Sequence, residues 1–103
     1  MGADFFLIGV KGNTPENAFK SAVENARYRY GHEEGYTGSI AEKDSFVLID
    51  YQKEKNEGET ERNFCLRLIN GDDPRIEDKW GPAGCIKSID HPGFFIFFGW
   101  ASS

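Results

Sequence analysis

Residues 4–30 read DFFLIGVKGNTPENAFKSAVENARYRY, and this stretch decides the fold. Its opening segment, 4–10, contains four consecutive apolar residues, which is typical of a β-strand covered on both faces. Thr14 followed by Pro15 is an N-cap and first-turn pair that predicts the start of an α-helix. Apolar side chains then recur at spacings of three and four residues up to Tyr30. The helix therefore presents one apolar stripe to a sheet.

The rest of the chain is predicted to supply the other strands of that sheet. These strands are expected at 39–42, 45–51, 63–69, 85–89 and 94–100. Between two of them, residues 52–61 read QKEKNEGETE and contain no apolar side chain, so we expect the mobile tip of a hairpin there. The expected fold class is α+β, with a single helix packed on a four- to five-stranded, mostly antiparallel sheet. The expected order is β-α-β-β-β with extra short strands.

Length and composition restrict the class of protein. A chain of 103 residues is expected to form a single domain, 1–103, because two separate cores do not fit in that length. The formal net charge of −5 makes a nucleic-acid partner unlikely, since such binding relies on basic residues that neutralise phosphate. The strictly apolar run 94–98 is far shorter than the roughly 20 residues of a membrane-spanning helix, so we expect no membrane association.

The predicted sheet has more apolar surface than one helix can cover. Segments 5–8, 46–49 and 94–98 are apolar at consecutive positions and so on both faces, whereas a single helix covers one face. Loops, curvature of the sheet or another chain must cover the remaining face, because monomers rarely expose a large apolar patch. We therefore expect a homo-oligomer or a protein partner that binds through this sheet face.

The two cysteines, Cys65 and Cys85, are predicted to be small core residues in a reducing compartment. A secreted domain of this size normally contains four or more cysteines, and the chain has no C-x-x-C pair. The sequence leaves open whether a single disulfide joins the two cysteines. We expect a cytoplasmic protein.

The loop at 32–37 is the first candidate site. It offers His32, Glu34, Tyr36 and Thr37 among glycines, which allow a backbone to approach a ligand closely. His32 would act as a general base and a neighbouring glutamate would orient it. The alternative is the C-terminal segment of the helix, where a histidine suits the negative end of the helix dipole.

A second candidate is His91, which is preceded by Asp90. Together with His32 and a glutamate it would form a two-histidine, one-carboxylate metal site, but nothing in the sequence places these residues together. Cys65 or Cys85 paired with His91 is another hypothesis, although no glycine-flanked nucleophile turn is present. We expect no metal and no cofactor.

The segment Lys11, Gly12, Asn13 and Thr14 follows a strand and opens a helix. Free amides at a helix start attract anions, so these residues are a candidate ligand-binding segment. The Gly-Lys-Ser/Thr ending of a phosphate-binding loop is missing, and a plain turn with an N-cap is the alternative.

Three short segments carry a resemblance. Residues 35–43 (GYTGSIAEK), 79–84 (KWGPAG) and 97–102 (FFGWAS) resemble small uncharacterised proteins of phages and bacteria. This resemblance implies no known activity and assigns no functional residue, and it suggests an accessory protein of a phage.

Taken together, these patterns favour a small, non-enzymatic binding or accessory protein that acts through protein–protein contact. The alternative is a small enzyme or ligand-binding protein that uses the loop at 32–37 with Glu42 or Lys43.

Overall fold

In a computed structural model of the chain, which describes residues 2–30 and 35–103, a four-stranded sheet lies between helices on both faces. The elements in chain order are β1 (Ala3–Lys11), α1 (Pro15–Tyr30), β2 (Phe46–Leu48), α2 (Tyr51–Glu54), α3 (Glu61–Asn70), β3 (Ala83–Lys87) and β4 (Phe94–Ser102), with a 3-10 turn at Ile40–Glu42. The predicted α+β class is confirmed, but the expectation of a single helix is wrong, because α2 and α3 are also present.

Helix α1 begins and ends where the sequence predicts. The Thr14 hydroxyl oxygen accepts a hydrogen bond from the Asn17 amide at 3.1 Å, which makes Thr14 the N-cap. Ala18, Ala22 and Val23 are buried on the side of α1 that faces the sheet. These small side chains let the helix lie close to the strands.

The strand order is β1-β4-β3-β2. β4 pairs antiparallel with both β1 and β3, whereas β2 pairs parallel with β3. The sheet is therefore mixed, and the parallel pair is connected through α2 and α3, as parallel neighbours require a long crossover. Because β1, β2 and β3 run in the same direction, their carboxyl ends share one edge of the sheet, here called the carboxyl edge.

The segment predicted as a strand at 63–69 is the larger part of α3. Its apolar residues alternate, but Phe64, Cys65, Leu68 and Ile69 also satisfy the helical spacing of one, three and four, and all four are buried. The Thr60 hydroxyl oxygen accepts from the Asn63 amide at 3.1 Å and so caps the helix. The cap and the helical spacing together outweigh the alternation.

Helix α3 covers the sheet face that the sequence analysis left open. One apolar cluster joins α1 to the sheet and a second joins α3 to its opposite face. The chain itself therefore covers much of the sheet face at which the sequence predicts a partner, and the binding of a partner there stays a prediction. No helix in the part of the chain that the structure describes is long and apolar enough to cross a membrane.

Residues 52–61 are not a hairpin tip, since they comprise the end of α2, the connection at 55–60 and the first residue of α3, and they are held by polar contacts. The Tyr51 hydroxyl donates to the Glu59 carbonyl oxygen. Arg67 binds the Glu59 carboxylate at 2.8 Å, and Arg75 binds the Glu54 carboxylate at 2.8 Å. Two of the acidic side chains that suggested a solvated tip, Glu54 and Glu59, instead pair with arginines of neighbouring segments.

Two other predicted strands are shortened or replaced by capping residues. Asp50 accepts a hydrogen bond from the Lys53 amide and begins α2, so the strand expected at 45–51 ends at Leu48. Ser39 accepts from the Ala41 amide and caps a 3-10 turn where a strand was expected at 39–42. In both places a side-chain oxygen competes with strand pairing for the backbone amides.

Candidate functional site

The described part of the loop at 32–37 is closed by its own hydrogen bonds. The Thr37 amide and hydroxyl donate to the Glu42 carboxylate at 3.1 and 2.8 Å. The Thr37 hydroxyl also lies 2.7 Å from the Ser39 hydroxyl. Thr37 and Glu42 therefore do meet, and their hydrogen bonds to each other join residue 37 to the 3-10 turn at Ile40–Glu42. The candidates His32 and Glu34 lie outside the described residues.

Tyr36 packs on an exposed tryptophan. Its ring meets that of Trp80 edge-on with centroids 5.1 Å apart, and both side chains remain at least half exposed. The Lys79 ammonium lies 5.5 Å from the Trp80 ring centroid. This aromatic pair is a surface feature beside the loop, and it contains no acid–base pair.

Lys43, which the alternative prediction places in a site with the loop at 32–37, points into the protein. Its ammonium donates to the carbonyl oxygens of Asp78, Lys79 and Gly81 at 3.3, 3.2 and 2.9 Å, and the residue is 1% exposed. Burial lowers the pKa of Lys43, partly offset by the Asp78 carboxylate. Lys43 holds a turn together and is not accessible to a substrate.

His91 lies at the other end of the molecule from Thr37. Its carbonyl oxygen accepts from the Phe94 amide at the first residue of β4, whereas the Gly38 amide next to Thr37 donates to Ser102 at the last. Nine residues of extended strand separate these points by roughly 27 Å. Thr37 and His91 therefore cannot act in one site.

The Lys11–Thr14 segment forms the turn into α1. The Gly12 amide donates to the Gly93 carbonyl at 3.0 Å, and a Cβ at Gly12 would lie 2.8 Å from Ala18. Glycine is therefore required at 12 by the close approach of the first helical turn. The residues occupy the positions of a capped helix start, and anion binding there stays a prediction.

The two cysteines are free thiols on opposite sides of the sheet. Cys65 belongs to the cluster under α3 and Cys85 to the cluster under α1, and both are fully buried. Burial raises the pKa of each thiol to about 12. The thiolate is the nucleophilic form, so neither cysteine is suited to attack a substrate near neutral pH.

A cavity of about 710 Å³ opens at the carboxyl edge, here called the carboxyl-edge cavity. The cavity is lined by Leu48, the last residue of β2, and by Ile89, which follows β3, and both side chains are about half exposed. Lys87 also lines it. A second cavity of about 430 Å³ shares Leu48 and Lys87 and extends to the start of α1 at Thr14. The size suits a small ligand, and the lining mixes aliphatic and cationic groups.

Glu61 shapes one wall of the carboxyl-edge cavity. This carboxylate is 5% exposed and accepts hydrogen bonds from the Ser88 hydroxyl at 2.8 Å and from the amides of Ile89 and Asp90 at 2.6 and 3.3 Å. The first residue of α3 thereby holds the loop after β3. Sequence reasoning missed Glu61, because one glutamate in an acidic segment gives no sign of burial.

The second feature of interest is the free edge of β1. Reciprocal hydrogen bonds join Gly2 and Ser103, and the Gly12 amide bonds to Gly93. In an antiparallel pair such bonded positions alternate, so the even-numbered residues of β1 direct their amides and carbonyls to β4. The odd-numbered residues direct theirs away from the sheet: Ala3, Phe5, Leu7, Gly9 and Lys11.

No hydrogen bond from any other described residue reaches these outward groups. The strand is nine residues long, contains no proline, and carries charge only near its ends, at Asp4 and Lys11. By contrast, β2 at the opposite edge has three residues. Natural proteins usually shorten, charge or cover such an edge, because it is a template for pairing with another strand. The residues that the structure describes leave this edge available.

A groove of about 610 Å³ runs along the edge of β1 on the side of α1. β1 forms one wall, and Ala22, Ala26 and Arg29 of α1 contribute to the other. The small alanine side chains leave room for apolar side chains of an added strand. Sequence reasoning could not find this site, since strand order depends on contacts between distant segments.

The chain matches no protein-family model, and no curated protein and no solved structure is significantly similar to it. Within residues 2–30 and 35–103, no group of three or more His, Cys, Asp or Glu side chains is arranged to hold a metal ion. The candidate sites therefore rest on the geometry alone.

Proposed function

We propose that this chain is a non-enzymatic binding protein that contacts another protein by accepting a strand at the free edge of β1. The observation that carries the proposal is the row of outward-facing peptide groups from Ala3 to Lys11. Strand addition obtains its affinity from main-chain hydrogen bonds and its specificity from pockets for alternate side chains. The outward amides supply the main-chain hydrogen bonds, and the groove beside α1 supplies the pocket for side chains.

The engagement of polar groups in the carboxyl-edge cavity supports a binding role over catalysis. The Asp50 carboxylate caps α2, and the Tyr51 hydroxyl is bonded to the Glu59 carbonyl. Burial, the largest cause, raises the pKa of Tyr51, and the nearby carboxylates raise it further. A phenol held in its neutral form and already donating its proton is a poor acid–base catalyst.

Two further parts of the proposal concern the cellular compartment of the protein and the biological system in which it acts. We place the protein in the cytoplasm, and the two free buried thiols, Cys65 and Cys85, support a reducing compartment. The resemblance of residues 35–43, 79–84 and 97–102 to phage and bacterial proteins supports an accessory role in a phage.

The test compares a proline and an alanine variant at Gly9. A proline there removes an outward amide and leaves every hydrogen bond from β1 to β4 in place, because Gly9 lies opposite Ile96 at a position that is not hydrogen-bonded to β4. Gly9→Ala keeps the amide, and a Cβ at this position meets no atom within 4 Å. We expect tagged wild type and Gly9→Ala to retain a protein partner, either a host protein or an untagged copy of this chain, that Gly9→Pro loses.

The captured protein is then identified, purified and added back during amide hydrogen exchange. Strand addition protects the amides of Phe5, Leu7 and Gly9, whose exchange is fast in a monomer with nothing bound at this edge. The even-numbered amides between them are slow in both states. Equal capture by Gly9→Pro, or protection that does not follow this alternation, would show that β1 is not the binding surface.

The carboxyl-edge cavity favours a second candidate, the binding of a small ligand with an apolar and an anionic part. Leu48 and Ile89 would contact the apolar part and Lys87 the anion. A fragment screen by protein-observed NMR tests this candidate. Hits that shift the amides of Leu48 and Ile89 and weaken in Lys87→Met support it, and a screen without such hits argues against it.

A further inference from the structure

We infer that the strand accepted at the free edge is β1 of a second copy of this chain, paired antiparallel about a two-fold axis through Leu7. This inference rests on the proposed function, since it names the partner of the same edge. It is drawn from the register, the side chains and the charges of β1. Each of these three features of β1 is compatible with pairing to a second β1 strand.

The register follows from which residues face outward. In an antiparallel pair, outward-facing residues of one strand bond to outward-facing residues of the other. Pairing Leu7 with Leu7 places Phe5 opposite Gly9 and Ala3 opposite Lys11, so that all nine residues of β1 are paired and every outward group is bonded. An interface of this kind is isologous and closes after two copies, so it does not propagate into a fibre.

The side chains of this register are complementary. Phe5 is 51% exposed, and Gly9 has open space where a side chain would be. The two-fold axis places each Phe5 ring beside the Gly9 of the other copy. The sheet already contains this arrangement, because Phe98 on β4 is the bonded partner of Gly84 on β3 and its ring lies on that glycine.

The charges and the groove favour the antiparallel direction. Asp4 and Lys11 stand near opposite ends of β1, so antiparallel pairing keeps the like charges of the two copies at opposite ends of the interface. Parallel pairing would place like charges together. Ile8 of the incoming strand, which is only partly buried in its own copy, would lie on the α1 side beside the groove whose α1 wall contains Ala22 and Ala26.

The experiment is sedimentation equilibrium on the purified protein from micromolar to millimolar concentration. We expect wild type to approach twice the monomer mass of 11.6 kDa. Gly9→Pro removes two intermolecular hydrogen bonds from the dimer, which should raise its dissociation constant roughly thirtyfold. Gly9→Ala should change it by less than about fivefold, because an exposed Phe5 ring can move away from one methyl group. Thermal melts of both variants confirm that each is folded.

A short thiol cross-linker tests the register. A mixture of Phe5→Cys and Gly9→Cys chains should join across copies more efficiently than Phe5→Cys alone, since the two Phe5 positions are about 14 Å apart in this register. The native thiols do not interfere because Cys65 and Cys85 are buried.

The outcomes separate this inference from the proposed function. A monomer at all concentrations, or a dimer that Gly9→Pro leaves unchanged, overturns the second copy as partner. If such a monomer still captures a host protein through Gly9, strand addition by that protein stands. If capture is also insensitive to Gly9→Pro, both proposals fail.

Discussion

Glu61, the first residue of α3, accepts a hydrogen bond from the Ser88 hydroxyl at 2.8 Å across 27 positions of the chain. The same carboxylate also accepts from the amides of Ile89 and Asp90. One buried acidic side chain therefore links the helix on one face of the sheet to the loop that follows β3. Breaking this link should loosen both α3 and a wall of the carboxyl-edge cavity.

Glu61→Ala should lower the free energy of unfolding by about 3 kcal/mol, because it leaves buried donors of the Ser88–Asp90 loop without an acceptor. Glu61→Gln should cost less, since its amide oxygen still accepts one of these bonds. Urea denaturation measures both. Glu57→Ala is the control, because Glu57 is an exposed acidic residue of the same segment and should change stability by no more than about 0.5 kcal/mol. Equal effects at 57 and 61 would contradict the structural role of Glu61.

Lys43→Met should destabilise the protein by about 3 kcal/mol. Methionine keeps the apolar stem of the side chain but leaves the carbonyl oxygens of Asp78, Lys79 and Gly81 without the ammonium donor. Thermal and urea unfolding provide the measurement. The matched control is Lys53→Met, at an exposed lysine of α2, where we expect little change. A Lys43→Met protein as stable as wild type would mean that the 78–81 turn does not depend on this lysine.

Gly84→Ala should lower the free energy of unfolding by about 1–3 kcal/mol, because a Cβ at 84 would lie 2.6 Å from the Cζ atom of Phe98. Gly9→Ala, also a strand glycine, should be neutral or stabilising, since nothing lies within 4 Å. Adding Phe98→Leu to Gly84→Ala should restore part of the loss relative to the sum of the single changes. Strict additivity of the two changes would argue against the ring contact.

Stability should fall with rising pH above about 9, and Cys85 should contribute to the slope. In the unfolded chain this thiol ionises from its ordinary pKa of 9.0, whereas burial raises the pKa in the folded protein to about 12. Between these values the folded state holds more protons, so each such thiol lowers the free energy of unfolding by about 1.4 kcal/mol per pH unit. Its contribution is complete below pH 9 and is lost as the pH approaches 12.

Urea denaturation at several alkaline pH values measures this slope. Cys85→Ala should show a slope about 1.4 kcal/mol per pH unit smaller than wild type. Cys65→Ala should do the same, because burial raises the pKa of that thiol equally, to about 12. Slopes identical to wild type in both variants would mean that the thiols ionise freely in the folded protein.

The chain by itself determined the elements whose signals are local. β1 and β4 are long apolar runs, and Thr14 with Pro15 specifies the start of α1 through interactions within one turn. A sixteen-residue stripe at helical spacing has no competing interpretation. These elements appear within two or three residues of where the sequence predicts them.

Only the tertiary structure decided what residues 61–70 became. A short run with Phe64, Leu66 and Leu68 on one side suits a strand, while Phe64, Cys65 and Leu68 also suit a helix. The helix prevails because the second face of the sheet must be covered, and α3 buries its apolar side there. The local pattern of these ten residues does not show that strands elsewhere in the chain need a helix to cover their apolar face.

The site depends on the same kind of distant contact. No local pattern states that β1 is an edge strand, since that follows from β4 inserting between β1 and β3. The surplus apolar surface of the strands indicated that something must cover the sheet, but the choice between a helix of the chain and another molecule was tertiary. The sequence alone therefore determined that β1 is a strand. The strand order determined that the odd-numbered peptide groups of β1 have no hydrogen-bond partner in the sheet. The reason is that hydrogen bonds in a sheet form between segments that are far apart in the chain.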